Sequence, residues 1–137
     1  MTDFSDEQTP PPTGIPVSQL VGDQVAAAPA TASARAAAER LNEAGVGLII
    51  VGSAEDVKGV VSERDIVRAV ASGVDLDTAS ATDIGSTDLR WIPLTATVAD
   101  AVDEMMTGYH RHLLVRDDDG DLAGVLSIRD LLAAYPT

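Results

Sequence analysis

The chain contains no cysteine, which excludes disulfide bonds, thiolate metal ligands and a thiol nucleophile. Aromatic residues make up only 3% of its 137 residues, so its hydrophobic core must be built from aliphatic side chains. No stretch approaches ~18 consecutive apolar residues, and a membrane-spanning helix is therefore not indicated. The amino-terminal segment is acidic and proline-rich, without the basic and apolar regions of a secretory signal. We therefore expect a cytoplasmic protein.

Basic residues are also scarce, with 9 Lys and Arg against 22 Asp and Glu, and the net charge is −13. Nucleic acids and anionic membranes require a basic surface, so we expect neither as a partner. Hydrophobic residues nevertheless make up 45% of the chain, which is enough for a core. The length suits one compact domain, or two small units that depend on each other.

Two halves of the chain repeat each other. The stretch "GVVSERDIV" at residues 59–67 returns as "GVLSIRDLL" at residues 124–132, an offset of 65 positions. Upstream, residues 29–34 match residues 93–98 at an offset of 64. The extra residue falls in the polar turn 117–121, where a repeat tolerates an insertion. The sequence therefore predicts two copies of one structural unit.

These matches divide the chain into four parts. We expect residues 1–16 to be a disordered, acidic and Pro-rich tail. Residues 17–73 form the first repeat, residues 74–81 a linker and residues 82–137 the second repeat. A unit of this size buries too little apolar surface to be stable alone. We therefore expect the repeats to pack with pseudo-twofold symmetry and to leave clefts between them.

Both repeats predict the element order β-α-β-β-α, an α/β (α+β) fold. A polar N-cap and a left-handed glycine C-cap bound the first helix of each repeat. The candidates are Ser33, Thr97, Gly45 and Gly108. Apolar runs around a Gly/Asp-rich turn then predict a hairpin, after which a second helix begins at Ser62 or Ser127. The short stretches 25–27 and 89–92 predict an edge strand before each first helix.

This element order, with Gly and two hydrophobic residues before Ser-x-x-Asp, resembles the cystathionine-beta-synthase (CBS) domain. Two such domains in tandem resemble a Bateman module, and the resemblance covers residues 17–137. The matching segments are "EAGVGLIIV" (43–51), "GVVSERDIVRA" (59–69) and "YHRHLLVRDDDGDLAGVLSIRDLL" (109–132). The chain departs from the family at Val21 and Gly85, where the family often has Met, and it lacks the proline of "RHLPV".

The repeated Ser-x-x-Asp motif has two compatible interpretations. As a helix cap, the Ser side chain accepts from the backbone N–H three residues later, which stabilises a helix by about 1 kcal/mol. As a binding motif, the Asp carboxylate offers acceptor oxygens to the two donors of a vicinal ribose diol. The resemblance implies that adenosine nucleotides dock there by the ribose. The implied anchors are Asp65 and Asp130, with Ser62 and Ser127 beside them.

Phosphate groups additionally need cations. Arg111 and His112 stand at the basic positions of the family before the second hairpin, whereas the first repeat has Gly47 and Leu48 there. We therefore expect two unequal sites. Because the net charge of −13 repels a polyanion, AMP suits the protein better than ATP. The candidate ligands are AMP, ADP, ATP and S-adenosylmethionine, and no cofactor is expected.

The two histidines and the acidic run of the second repeat do not favour a catalytic or metal site. His110 and His112 alternate along the predicted strand and therefore face one side, and with an Asp they could hold a divalent metal. A polar strand start or phosphate contacts explain them better. The acidic run 117–121 lacks calcium-loop spacing and predicts a hairpin turn. The sequence contains no nucleophile elbow, zinc-protease motif or P-loop, so we do not expect an enzyme.

The function expected from these features is that of a stand-alone tandem regulatory module. It would bind an adenosine nucleotide between the repeats, as in energy sensing, and signal its occupancy to a regulated protein in trans. Exposed helical faces, one per half, predict a homodimer. One alternative is a ligand-free protein-interaction scaffold in which Ser-x-x-Asp only caps helices. The other is a small metal-dependent enzyme that uses His110 and His112.

Overall fold

The computed structural model describes residues 14–21 and 25–134. Over these residues the protein is a mixed α+β structure with two three-stranded sheets, which confirms the predicted fold class. Most of the expected disordered tail, residues 1–13, lies outside the described residues. Ile15 and Pro16, which the sequence assigned to that tail, pair through their backbone with Val98 and Thr97 of the second repeat.

The first sheet has the strand order β1-β2-β3. Its strands are β1 (Ala27–Ala28), β2 (Leu48–Ser53) and β3 (Asp56–Ser62). Strand β1 runs parallel to β2, and β2 and β3 form the predicted antiparallel hairpin. The accompanying helices are α1 (Ala34–Ala44), α2 (Glu63–Ala71) and the short α3 (Ala81–Ile84).

The second sheet repeats this arrangement in the order β4-β5-β6. Its strands are β4 (Trp91–Pro93), β5 (His112–Arg116) and β6 (Leu122–Ser127), with β4 parallel to β5 and β5 antiparallel to β6. The helices are α4 (Val98–Gly108) and α5 (Ile128–Ala133), and a short 3-10 helix, Val17–Gln19, precedes both sheets. The two edge strands lie within one or two residues of the predicted positions.

The chain forms two compact units, and each borrows a segment from the other half of the sequence. The first-repeat unit comprises residues 25–89, and the second-repeat unit comprises residues 14–21 and 90–134. In the first-repeat unit, the Ala81 N–H donates to the Ala32 carbonyl at 2.9 Å. In the second-repeat unit, the Val98 N–H donates to the Ile15 carbonyl at 2.9 Å. The short helical segment that leads each sequence repeat therefore packs in the unit formed by the other repeat.

Each unit has its own aliphatic core, as the scarcity of aromatic residues requires. Three fully buried side chains of each core come from its hairpin, and each lies 64 or 65 positions from its counterpart. They are Ile49, Val51 and Val61 in the first-repeat unit and Leu113, Val115 and Leu126 in the second. The borrowed segments complete these cores with Ala81 and Val17, both 0% exposed. The pairing of hairpin and borrowed segment thus follows from apolar burial.

Glycines allow the borrowed segments to approach the hairpins closely. A Cβ atom on Gly85 would lie 2.2 Å from the Val60 carbonyl oxygen, which is too close for any side chain. In the other unit, a Cβ atom on Gly124 would lie 2.7 Å from the Cβ atom of Val21. The hairpin of the first-repeat unit also has such a glycine, because a Cβ atom on Gly59 would lie 2.9 Å from the Ser86 carbonyl oxygen. Both hairpins therefore have glycine where the leading segment approaches, and the first-repeat unit has a second one on that segment.

The predicted helix caps are confirmed except for one. Ser33 and Thr97 are N-caps, and each side chain accepts from a backbone N–H in the first turn. Gly45 is the left-handed C-cap of α1, with φ 66°. The prediction for Gly108 was wrong, because this residue ends α4 and the left-handed cap is Tyr109, with φ 57°. The helix therefore extends one residue further than the glycine indicates.

The acidic run in the second repeat is the hairpin turn that the sequence predicts. The Asp117 carboxylate accepts from the N–H groups of Asp119 at 2.9 Å and Asp121 at 3.0 Å. Gly120 has φ 87°, a conformation that favours glycine. The Asp117 side chain therefore stabilises the turn through these two hydrogen bonds.

Candidate functional site

The first Ser-x-x-Asp motif lies where β3 runs into α2. The Asp65 N–H donates to the Ser62 hydroxyl at 3.1 Å, and Asp65 Oδ2 accepts from the Ser62 N–H at 2.9 Å. These reciprocal bonds form a capping box. The Asp65 side chain is only 16% exposed. The strand and the cap thus hold this carboxylate in one orientation against the unit.

The second motif has the same geometry where β6 runs into α5. The Asp130 N–H donates to the Ser127 hydroxyl at 3.1 Å, and Asp130 Oδ2 accepts from the Ser127 N–H at 2.8 Å. Asp130 is half-buried, like Asp65. The capping interpretation is therefore correct for both motifs. One carboxylate oxygen serves the cap, which leaves Oδ1 as the freer acceptor.

Two further capping boxes show what distinguishes the motif aspartates. Ser80 with Asp83 caps α3, and Thr97 with Asp100 caps α4. The side chains of Asp83 and Asp100 are exposed, whereas the motif aspartates at the strand–helix junctions are half-buried. Capping alone thus does not require the burial of Asp65 and Asp130. The exposed boxes provide matched references for experiments on the motif.

The two motif carboxylates differ in their partners. Asp65 Oδ1 accepts from Arg68 Nη1 at 3.2 Å. The corresponding residue of the second repeat is Ala133, which offers no donor. Among the described residues, no group pairs with Asp130 Oδ1, so this oxygen stays open to a ligand. Sequence analysis missed Arg68, although its spacing of three residues from Asp65 on a helix was a usable signal.

The predicted phosphate contacts lie beside the second motif. His112 is half-buried in β5 and pairs directly with Ser127 across the hairpin. Arg111 is exposed, and its carbonyl accepts from the Ile128 N–H at 3.0 Å, at the start of α5. The second-repeat unit therefore brings Arg111, His112, Ser127 and Asp130 together at one junction of β5, β6 and α5.

The same junction in the first-repeat unit has the opposite charge. Gly47 replaces Arg111, and its carbonyl accepts from the Glu63 N–H at 3.0 Å. A Cβ atom on Gly47 would lie 3.0 Å from Glu63 Oε1, so the glutamate side chain covers this position. Ile128 stands at the corresponding place in the second repeat. An anionic group therefore meets a carboxylate in the first-repeat unit and a guanidinium in the second.

The prediction that His110 and His112 alternate on one strand is wrong. Strand β5 begins at His112, and His110 precedes it in the turn after α4. The His110 ring packs against Gly108, and its Nε2 atom is buried without a hydrogen-bond partner. Within residues 14–21 and 25–134, no three His, Asp or Glu side chains are grouped to hold a metal.

The second-repeat unit also has a surface depression of about 530 Å³. It extends along β4 and the start of α4, and its polar lining is anionic. The lining residues are Trp91, Ile92, Pro93, Thr95, Ala96, Asp100, Asp103 and Glu104. The Arg116 guanidinium lies 4.5 Å from the centroid of the Trp91 ring. This cation–π contact packs Trp91 against Arg116.

Among the described helices, none combines the length and hydropathy needed to span a bilayer.

Comparison with known proteins identifies the repeated unit. The family model for the CBS domain matches residues 17–72 and 81–137. A 17.7 kDa protein of Acidianus ambivalens is 34% identical over 119 residues, which cover 86% of this chain and 71% of the relative.

Two solved structures show the same fold. A CBS domain protein of Pyrobaculum aerophilum, determined in complex with AMP, is 37% identical, with a TM-score of 0.77 and coverage of 85% of this chain and 89% of that one. A CBS-domain protein of Agrobacterium tumefaciens is 28% identical, with a TM-score of 0.76 and coverage of 87% and 97%. The chain belongs to the CBS domain family and carries two copies of the domain in tandem.

Proposed function

We propose that this tandem CBS pair is a regulatory module that binds AMP, mainly through its second-repeat unit, and signals its occupancy to a partner protein. The observation that carries this proposal is the state of the Asp130 carboxylate. Its Oδ2 atom is fixed by the Ser127 N–H at 2.8 Å, and its Oδ1 atom has no partner among the described residues. A half-buried, oriented acceptor of this kind suits a ligand with paired hydroxyl donors.

The ribose of a nucleotide supplies such donors. Its 2′- and 3′-hydroxyl groups are vicinal, so both reach one carboxylate. Oδ1 accepts one hydroxyl, and the remaining lone pair of Oδ2 accepts the other. Hydrogen bonds to a charged acceptor contribute about 1.5–3 kcal/mol each, so this contact would carry much of the affinity.

Charge favours a nucleotide with a single phosphate. Arg111 is the exposed cation at the second-repeat junction, and His112 lies on the neighbouring strand. One guanidinium balances one phosphate well, whereas a triphosphate would add charge to a protein of net −13. The Pyrobaculum protein determined with AMP supports the same ligand, because it is 37% identical to this chain.

Calorimetric titration of AMP against Asp130→Asn and Asp100→Asn tests the proposal. Asn keeps an oxygen that can accept from the cap N–H, so both variants retain their helix starts. We expect Asp130→Asn to weaken AMP binding by about 10–100-fold, because it replaces a charged acceptor facing the ribose. Asp100→Asn, in an exposed capping box of the same type, should leave the affinity unchanged.

The same titrations with ADP, ATP and S-adenosylmethionine define the ligand class. We expect AMP to bind most tightly and ATP to bind weakly without a divalent metal. Tighter binding of ATP than of AMP, with magnesium absent, would contradict the charge argument. An equal loss of AMP affinity in both Asn variants would show that helix capping, not ribose contact, controls binding.

A ligand-free interaction scaffold remains the second candidate function. Its supporting observation is that all four capping boxes have closely similar hydrogen bonds, although two of them lie outside the motif. Stabilisation of helix starts therefore suffices to account for the Ser-x-x-Asp residues. No thermal shift with any of the four ligands would favour the scaffold. The signalling partner would then be identified by its binding to the unliganded protein.

A further inference from the structure

The edge strand of the second sheet has one residue whose backbone groups point away from the sheet. The Leu114 N–H of β5 donates to the Arg90 carbonyl at 2.8 Å, and parallel pairing continues through alternate residues of β4. Trp91, the residue between these bonds, therefore directs its own N–H and carbonyl to the outer edge. Among the described residues, none bonds to either group. An open strand edge of this kind is able to pair with another chain.

The first repeat covers the same edge position with an arginine from its own helix. Ala27 of β1 is the counterpart of Trp91, 64 positions earlier and at the same place in its sheet. Arg40 of α1 reaches this strand, and its Nε atom donates to the Ala27 carbonyl at 3.2 Å. A guanidinium group therefore satisfies the outward carbonyl in the first-repeat unit, and Arg40 is half-buried as a result.

The second repeat has the opposite charge at the helix position that supplies this donor. Glu104 of α4 corresponds to Arg40, and a carboxylate cannot donate to the Trp91 carbonyl. Asp100 and Asp103 lie on the same face of α4, because they precede Glu104 by four residues and one residue. All three carboxylates are exposed, and within the described part of the chain none forms an ion pair. The second-repeat unit therefore has three acceptors where the first has a donor.

These groups line one surface depression of about 530 Å³, which has room for a large side chain. We call it the edge groove and define it by Trp91, Pro93, Asp100, Asp103 and Glu104. Its Trp91 ring attracts cations, since the Arg116 guanidinium already lies 4.5 Å from the ring centroid. The edge groove thus combines an open carbonyl, an aromatic ring and three carboxylates, all of which favour a guanidinium group.

We propose that the edge groove binds an arginine on an extended segment of a partner protein. The guanidinium donates to the Trp91 carbonyl, as Arg40 donates to Ala27 in the first repeat, and the carboxylates balance its charge. The backbone of the segment accepts from the Trp91 N–H, so the segment lies along β4 as an added strand. Arginine suits the groove better than lysine, because its planar group donates to several acceptors at once. This contact does not require AMP and therefore goes beyond the proposed function.

The charge of the chain favours a separate basic partner over the protein's own segments. Residues 1–13 contain three acidic residues and no Lys or Arg, so the carboxylates of the edge groove repel them. A second copy of the chain also has a net charge of −13. A basic segment of another protein is instead attracted, both at long range and in the groove itself.

A nuclear magnetic resonance titration of the isotope-labelled protein tests the proposal at physiological salt without AMP. The probe is the peptide acetyl-Thr-Val-Arg-Val-Thr-amide, and the same peptide with Gln in place of Arg is its control. We expect the arginine peptide to bind about tenfold more tightly, because only its side chain pairs with the carboxylates. Equal binding of both peptides, or no binding, would overturn the proposal. Neither result would bear on AMP binding, since no nucleotide is present.

The variant Glu104→Arg gives the second repeat the arginine of the first. Its new guanidinium should donate to the Trp91 carbonyl within the chain and weaken binding of the arginine peptide by about tenfold. Glu55→Arg, in the exposed turn of the first hairpin, makes the same change of charge outside the groove. It should change the affinity by less than about twofold, because salt screens distant charges. Equal weakening by both variants would reveal only general attraction to an acidic protein and would overturn the proposal.

Amide hydrogen exchange shows whether the bound segment lies along β4. With the arginine peptide at saturation, the Trp91 N–H should exchange at least about ten times more slowly, because it gains a hydrogen bond. The Ala27 N–H occupies the equivalent position in the first repeat and should exchange at an unchanged rate. A bound peptide that leaves the exchange of Trp91 unchanged would contradict the added strand.

Discussion

The two repeats share one backbone but differ in the side chains at the ends of their helices. Helices α1 and α4 both span 11 residues, and both hairpins set the first strand residue opposite the capping serine, Leu48 with Ser62 and His112 with Ser127. Each hairpin also shifts register at the corresponding point of its first strand. The repeats therefore agree in the backbone of their first helices and hairpins.

The differences concern exposed positions. Asp65 is paired with Arg68, and Glu63 covers the adjacent backbone, whereas Asp130 has an open oxygen near Arg111. Buried positions are constrained by packing, which penalises each change by several kcal/mol. Exposed positions carry little such penalty and can acquire separate roles. The comparison thus assigns the scaffold to what the repeats share, and we expect their ligand affinities to differ because the exposed residues beside the shared motif differ.

Substitution of two close-contact glycines should have the largest effect. Gly85→Ala places a Cβ atom 2.2 Å from the Val60 carbonyl oxygen, a backbone atom that is fixed in β3. We expect a loss of about 3 kcal/mol in unfolding free energy. Gly124→Ala meets only the Val21 side chain at 2.7 Å, which can shift with its segment, and should cost about 1–2 kcal/mol.

Chemical denaturation of both variants measures this difference, with Gly14→Ala as the control because nothing lies within 4 Å of its Cβ position. If Gly124→Ala proved more damaging than Gly85→Ala, the borrowed segment would be held more rigidly in the second-repeat unit than in the first.

The sequence predicts the repeated backbone well, because periodic burial and capping are local signals. The alternation of apolar residues locates both hairpins, and Ser33, Thr97, Ser62 and Ser127 mark the starts of their helices. The same local patterns repeat at a fixed offset, which strengthens each of them. The element order and the mixed fold class are therefore accessible without coordinates.

The sequence does not predict which segments pack together, because that depends on contacts between distant residues. Ala81 and Val17 are ordinary small or aliphatic residues, and no local signal shows that each completes the core of the other repeat's unit. The C-cap of α4 was misplaced because the preference of left-handed caps for glycine favours Gly108, whereas the helix includes Gly108 and its left-handed cap is Tyr109. The roles of Asp65 and Asp130 in ligand binding stay predictions.

Replacing Tyr109 by glycine should stabilise the protein. Gly removes the cost of a left-handed tyrosine, and its greater freedom in the unfolded chain offsets part of the gain. We expect unfolding free energy to rise by about 1 kcal/mol, while Gly45→Ala in the first repeat should lower it by a similar amount. Thermal denaturation of the Tyr109→Gly and Gly45→Ala variants measures these changes at the equivalent C-caps of α4 and α1. No gain for the Tyr109 variant would mean that this side chain packs more favourably in solution than its 93% exposure indicates.

Transfer of the first-repeat ion pair to the second repeat should weaken AMP binding slightly. Ala133→Arg places a guanidinium three residues after Asp130, as Arg68 follows Asp65 at 3.2 Å. Because an exposed pair of this spacing contributes about 0.5 kcal/mol, we expect a roughly twofold higher dissociation constant. Ala133→Gln, of similar length without charge, is the control in the titration. Tighter binding would show instead that the new cation contacts the phosphate.

The smallest expected effect concerns an ion pair that only the first repeat possesses. Arg35 of α1 donates from Nε to Asp77 Oδ1 and from Nη2 to Oδ2 at 3.2 Å, whereas Ala99 takes the place of Arg35 in α4. The hydrogen bond from Arg35 holds the pKa of Asp77 below its ordinary value. A lowered folded-state pKa adds stability above the unfolded pKa, and this stability is lost as the pH falls through the folded value.

Asp77→Asn should therefore reduce the unfolding free energy slightly at pH 7 and leave it unchanged near pH ~2–3. Urea denaturation measures both values, with Asp118→Asn in the second-repeat turn as the control. A deficit that persists at the acidic pH would attribute the effect to backbone contacts of the 74–81 segment rather than to the carboxylate charge.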